Sequence, residues 1–111
     1  MKRKRTIKEI EHLFPRIKVC LREIFGDRLE EIILYGSFAK NQATEDSDID
    51  LAVILKDGCE SKTERERVND IISDIGLEAN ELISILPLCA KEIEKSKWPL
   101  YGSLQEQGLR L

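Results

Sequence analysis

The stretch from Glu31 to Leu55 constrains this chain more than any other part of it. An apolar run, Glu31-Ile-Ile-Leu-Tyr35, stops at Gly36-Ser37, and after ten intervening residues Asp48-Ile49-Asp50 opens a second run through Leu51, Ala52, Val53, Ile54 and Leu55. Short apolar runs bounded by turn residues read as buried strands. Gly36 permits the sharp backbone turn that must come after the first of them. Side chains alternate along a strand, so Asp48 and Asp50 project to one side while Ile49, Leu51 and Val53 face the core. The residues after Ser37 read as a short helix, which places Ser37 where backbone N–H groups and a hydroxyl face outward, a seat for phosphate. Two carboxylates two residues apart on one face suit Mg²⁺, which takes one or two carboxylates together with substrate phosphates.

Around this stretch the pattern alternates helix and strand. Ile7, Ile10, Phe14, Ile17, Leu21 and Ile24 form a helical stripe that Pro15 should kink or break and Gly26 should end. Thr6 with Glu9, and Ser61 with Glu64, are capping-box pairs. The second pair opens a helix with Val68, Ile71, Ile72 and Ile75 on its apolar face and Gly76 marking its end. Asp57-Gly58 reads as a turn, Leu82–Leu86 as a third strand closed by Pro87, Lys91–Lys97 as a charged helix, and Pro99 as the start of a last one. The expected fold class is α/β (α+β): one domain over residues 1–111, a small mixed β-sheet flanked by helices.

Composition narrows the function. A length of 111 residues suits one modest core, and no apolar run is long enough to span a membrane. A net charge of −3 argues against a broad nucleic-acid surface. Basic residues Lys2 to Arg5 read as a frayed, solvated terminus, and the lack of an apolar stretch behind them points to a cytoplasmic protein. Cys20, Cys59 and Cys89 are odd in number and widely spaced; Cys20 and Cys89 read as buried thiols, and a zinc site is not expected. His12, on a charged stretch, reads as a surface residue, and Tyr35 as a strand tyrosine at the core edge. Trp98-Pro99-Leu100-Tyr101 reads as packing of the last helix, with a partner contact as the alternative.

Gly36-Ser37 and then Asp48 and Asp50, within Gly-Ser-Phe-Ala-Lys-Asn-Gln-Ala-Thr-Glu-Asp-Ser-Asp-Ile-Asp-Leu, resemble the nucleotidyltransferase superfamily of DNA polymerase beta. Within it the chain is similar to the minimal nucleotidyltransferases (MNT), including the antitoxins of HEPN–MNT toxin–antitoxin pairs. The resemblance implies a polymerase-beta-like sheet whose first two strands carry the site. It implies Asp48 and Asp50 as catalytic, Mg²⁺-binding residues, and Gly36 and Ser37 as the cradle for the β- and γ-phosphates of ATP. Lys40 would reach a phosphate as a point charge or remain a solvated lysine, and Ser47 would line the nucleotide or act as a turn residue orienting the acidic strand. The implied reaction moves AMP from ATP to an acceptor hydroxyl, a tyrosine of a HEPN toxin partner.

One feature departs from the family, which usually supplies a third carboxylate from a neighbouring strand. Alternation over residues 82–86 puts Leu82, Ser84 and Leu86 on one face and Ile83 and Ile85 on the other, with no acid on either. Glu81 is the nearest candidate, Glu78 is further out, and Ser84 stands where the acid would be. The alternative function is therefore a catalytically weak nucleotide-binding module that neutralises or scaffolds its partner by contact alone.

Overall fold

The first apolar stripe folds in pieces rather than as one helix. In the computed structural model, which describes residues 2–92 and 99–111, short 3₁₀ turns at Ile7–Glu9 and Glu11–Leu13 lead into helix α1, Phe14–Phe25. Pro15 lies in the first turn of α1, where its missing N–H leaves no bond unmade, so the break falls where the proline demands it. Thr6 and Glu9 form their capping box, and Gly26, at φ 58°, ends α1.

Four strands form one mixed sheet in the order β3-β2-β1-β4. Strand β1 (Leu29–Tyr35) runs antiparallel to β2 (Ile49–Leu55) and to the short β4 (Leu109–Arg110), while β3 (Ile83–Cys89) runs parallel to β2. Helix α2, Lys62–Ala79, opens at the Ser61–Glu64 capping box and connects β2 to β3; helix α3 is Pro99–Gln107. The α/β class and the mixed sheet read from the sequence are therefore present.

Both faces of β2 are covered. Ile49, Leu51, Val53 and Leu55 join the α1 and α2 side chains Ile17, Leu21, Val68, Ile72 and Ile75 in the larger core. Ala52 and Ile54, on the other face, pack with Ile33, Leu88 and Leu104.

Several boundaries differ from the sequence reading. Gly76 does not end α2. The helix continues to Ala79 and closes at Asn80 (φ 56°), with Asn80 N–H donating to the Leu77 carbonyl (3.3 Å) and Glu81 N–H to the Gly76 carbonyl (2.8 Å). Gly76 is there for close approach, since a Cβ would stand 2.6 Å from the Glu81 carbonyl oxygen. Strand β3 passes through Pro87 to Cys89; an edge strand tolerates a residue without an N–H. Residues 93–97 of the expected charged helix, and Trp98 of the aromatic cluster, lie outside the described residues, whereas α3 does begin at Pro99.

Extending β3 also overturns the reading of Cys89 as a buried thiol. Cys89 lies opposite Leu55, and a disulfide joins it to Cys59 in the loop after β2, with Cα atoms 5.1 Å apart. A sequence separation of 30 residues concealed the pair. Cys20 is a free thiol but half-buried rather than buried, because it sits at the edge of the helix stripe; His12 is exposed, as expected.

Candidate active site

Gly36 ends β1 with φ at 76°, a conformation that glycine adopts without strain. Beyond it the chain makes a single turn, not the expected helix. Lys40 N–H donates to the Gly36 carbonyl (3.1 Å) and Gln42 N–H to the Ser37 carbonyl (2.8 Å), and Asn41, left-handed at φ 58°, stops any continuation. Those bonds leave the N–H groups of Ser37, Phe38 and Ala39 without a partner among the described residues. Phe38, 2% exposed, anchors the turn in the core.

The turn touches the acidic strand directly. A Cβ built on Gly36 would collide with the Asp50 carboxylate, whose Cγ stands 3.2 Å away, so the absence of a side chain at Gly36 makes the room that Asp50 occupies. Asp50 lies on β2 between Tyr35 of β1 and Ser84 of β3, each its register partner. Its carboxyl is pushed above the usual range, first by burial and then by the charge of Asp48, which immediately precedes the strand. Burial, and secondarily Asp50, likewise raise the Tyr35 hydroxyl. A divalent cation shared by Asp48 and Asp50 would relieve both effects on Asp50, and hard carboxylate oxygens are the donors Mg²⁺ takes.

Ser47 is turned to a local task. Thr44 N–H donates to the Ser47 hydroxyl (2.9 Å) while Ser47 N–H donates to the Thr44 carbonyl (3.0 Å), a closed turn that delivers the chain to Asp48. Lys40 is exposed and, with Tyr35, Gly36, Ala39, Ser103, Leu104 and Gln107, lines a cleft of about 170 Å³. That is too small to enclose a drug-sized ligand. The contribution of Ser103 and Gln107 has no local signal in the sequence, because α3 reaches the turn only through the fold.

Neither sequence candidate for a third acid is available. Glu81 is bound by the Arg5 guanidinium, one bond of 2.9 Å and a shorter one, and Glu78 pairs with Arg16. Ser84, exposed, takes the position beside Asp50.

Residues 2–5 are also not frayed. Arg5 N–H donates to the Ala43 carbonyl and Glu45 N–H to the Arg3 carbonyl, both at 3.0 Å, and Lys2 pairs with Asp46 at 2.7 Å. Arg5 further stacks over the Phe38 ring, 5.4 Å from its centroid. The N-terminal segment thus braces the loop between the Gly-Ser turn and the acidic strand, a role that a run of basic residues does not advertise.

Comparison with known proteins bears on the family and the fold. Residues 21–106 match the family described as polymerase beta, nucleotidyltransferase. A Methanocaldococcus jannaschii protein, named provisionally as a protein adenylyltransferase, is 30% identical over 90 residues, covering 81% of this chain and 88% of that one. The protein adenylyltransferase MntA of Thermococcus cleftensis is 46% identical over 48 residues, 43% of this chain and 46% of its own. Among solved structures, a toxin–antitoxin complex MntA–HpeT superposes with a TM-score of 0.55 at 16% identity, over 86% of this chain and 69% of that one. A toxin–antitoxin structure with AMP-PNP superposes equally well at 17% identity, with the same coverage. At such identities the structural likeness speaks for the fold, and the family match carries the rest: the chain belongs to the polymerase beta nucleotidyltransferase family.

Proposed function

We propose that this nucleotidyltransferase moves AMP from ATP to a hydroxyl of a partner protein, a tyrosine of a HEPN-type toxin, in the manner of an antitoxin. The observation that carries the reading is the direct contact between the Gly36 turn and the Asp50 carboxylate, beside the charge of Asp48. A triphosphate on the free N–H groups of the turn would then lie against the pair of acids. Asp48 and Asp50 would hold Mg²⁺, which when bound supplies charge neutralisation on the phosphate oxygens. The Ser37 N–H and hydroxyl, in the turn that Gly36 opens, would bind the β- and γ-phosphates, and Lys40 would add a positive charge at the cleft. Ser47 would act as a positioning residue through its turn with Thr44. The acceptor hydroxyl oxygen forms a bond to the α-phosphorus as its proton passes to solvent, the bond from that phosphorus to the bridging oxygen breaks, and pyrophosphate leaves. Catalysis of this kind is mostly alignment and electrostatics.

The named activity of the archaeal relatives supports a protein acceptor, and the solved toxin–antitoxin neighbours support a partner and an ATP-like nucleotide. The test incubates the protein with ATP labelled at the α-phosphate, Mg²⁺ and the HEPN partner. Label should appear on the partner and disappear with Asp50→Ala or when the partner's tyrosines become phenylalanine. An unlabelled partner, the same with wild type as with Asp50→Ala, defeats the proposal.

One observation favours a second reading, a module that neutralises its partner by contact alone. Ser84 occupies the place beside Asp50, while Glu81 and Glu78 are held by arginines. Full inhibition of the partner by the Asp48→Asn/Asp50→Asn double variant would select that reading. Ser84→Asp, restoring an acid to the row, should tighten metal binding if the site is catalytic.

A further inference from the structure

At the opposite end of the sheet from the acids, about 17 Å along β2 from Asp50, lies a second cluster of chemically active side chains. Cys59, Cys89 and Glu92 bring one ligand atom each within 4.8 Å of one another, with Cys59 and Glu92 exposed and Cys89 half-buried. We propose that this cluster is a redox-gated site for a soft divalent cation such as Zn²⁺: closed as a disulfide when oxidised, and a three-ligand metal site, Cys59 and Cys89 thiolates with the Glu92 carboxylate, when reduced.

The two cysteines are held in place by more than the bond between them. Cys89 is fixed by the register of β3, where it pairs with Leu55. Cys59 is fixed by Arg28, whose guanidinium donates to the Cys59 carbonyl at 2.6 Å while also pairing with Glu64 at 2.7 Å. Breaking the disulfide therefore leaves both sulfurs side by side. The Cys59 sulfur lies 3.7 Å from the Glu92 carboxylate. With Zn–S near 2.3 Å and Zn–O near 2.1 Å, tetrahedral geometry asks for ligand edges of about 3.6 Å for S···O and about 3.8 Å for S···S. Of the three edges, the one from Cys59 to Glu92 is nearly present, the one from Cys89 to Glu92 lies within 4.8 Å, and the S···S edge needs the separation that reduction allows.

Two thiolates and a carboxylate would carry one negative charge in excess of a divalent ion, a modest excess at a solvent-exposed site. Thiolate donors select zinc over magnesium, so the cluster would not compete for the hard cation expected at Asp48 and Asp50. The chemistry balances in two steps. A dithiol reductant gives two electrons and two protons to the S–S bond, making two thiols and leaving itself oxidised. The cation then displaces both protons to solvent as it binds.

The probe is Co²⁺, followed by Zn²⁺, added to full-length protein reduced under anaerobic conditions. One equivalent of Co²⁺ should bind with a thiolate-to-cobalt charge-transfer band, and Zn²⁺ should displace it. Oxidised protein should show no band, Cys59→Ser should lose it, and Glu92→Gln should bind at least about tenfold more weakly. Cys20→Ser and the Asp48→Asn/Asp50→Asn variant should keep it, which separates this site from the nucleotide site. A reduced, folded protein (native circular dichroism) without the band, a band that survives Cys59→Ser, or wild-type affinity in Glu92→Gln would overturn the assignment.

Discussion

The two faces of the sheet share the same strands and meet different fates. Toward α1 and α2, Ile49, Leu51, Val53 and Leu55 are all fully buried. Toward α3, Ala52 and Ile54 are just as well covered, but at Asp50 the cover is incomplete and the residue is only half-buried. A carboxylate can be partly desolvated without being neutralised only where a packed layer gives out. The site is therefore a boundary: Asp50 inherits rigidity from the sheet, where it pairs with Tyr35 and Ser84, and remains only half-buried.

The contrast can be broken by substitution, and the core face should give the largest effect. Leu51→Ala, deleting a fully buried side chain from the larger cluster, should cost about 3–5 kcal/mol in urea unfolding, and Ile54→Ala, as deeply buried in the smaller cluster, about 2–3 kcal/mol. Equal costs for these two matched truncations would show that the size of the cluster makes no difference.

Next in size is the acid itself. Asp50→Ala should lower transfer of AMP about 10²–10³-fold, read by label incorporation, while leaving unfolding by urea no more favourable than in wild type. Loss of folding in this variant would mean that Asp50 belongs to the core rather than to the site.

Gly36→Ala joins both regions. Its positive φ and the collision with Asp50 should cost about 1–3 kcal/mol of stability and also depress transfer, because the carboxylate must move. Unchanged activity with reduced stability would separate the turn from the acids.

The smallest effect concerns charge. Asp50 has a folded-state pKa raised above its unfolded value, so the folded protein binds the proton more tightly. The stability this contributes is complete below the unfolded pKa and is lost as the pH rises through the folded one. Without metal, Asp50→Asn should therefore raise Tm modestly at neutral pH, and the gain should vanish in acid, where Asp50 is protonated in both states. Thermal melts across pH with a chelator check this. A lower Tm for Asp50→Asn at neutral pH would mean that the ionised acid has a stabilising partner.

Much of the molecule was legible in the chain itself, for local reasons. Capping pairs at Thr6–Glu9 and Ser61–Glu64 mark helix starts because they satisfy orphan N–H groups within a few residues. Gly36 and the Asp48/Asp50 alternation are likewise short-range geometry, so the turn and the acids could be placed before any fold was known. Gly76 was misread because glycine serves both as a helix stop and as a point of close approach, and only the path of the chain through Glu81 distinguishes them.

What tertiary structure alone decided involves residues far apart in sequence. The contact of Gly36 with Asp50, the bracing of the 43–46 loop by residues 2–5, the capture of Glu81 by Arg5, and the meeting of Cys59 with Cys89 all arise from strand register and layer packing. Register is set collectively by every side chain that must find the buried face, a global condition that no window of neighbouring residues contains. The chain determined which groups it would offer; the sheet decided which of them would stand together.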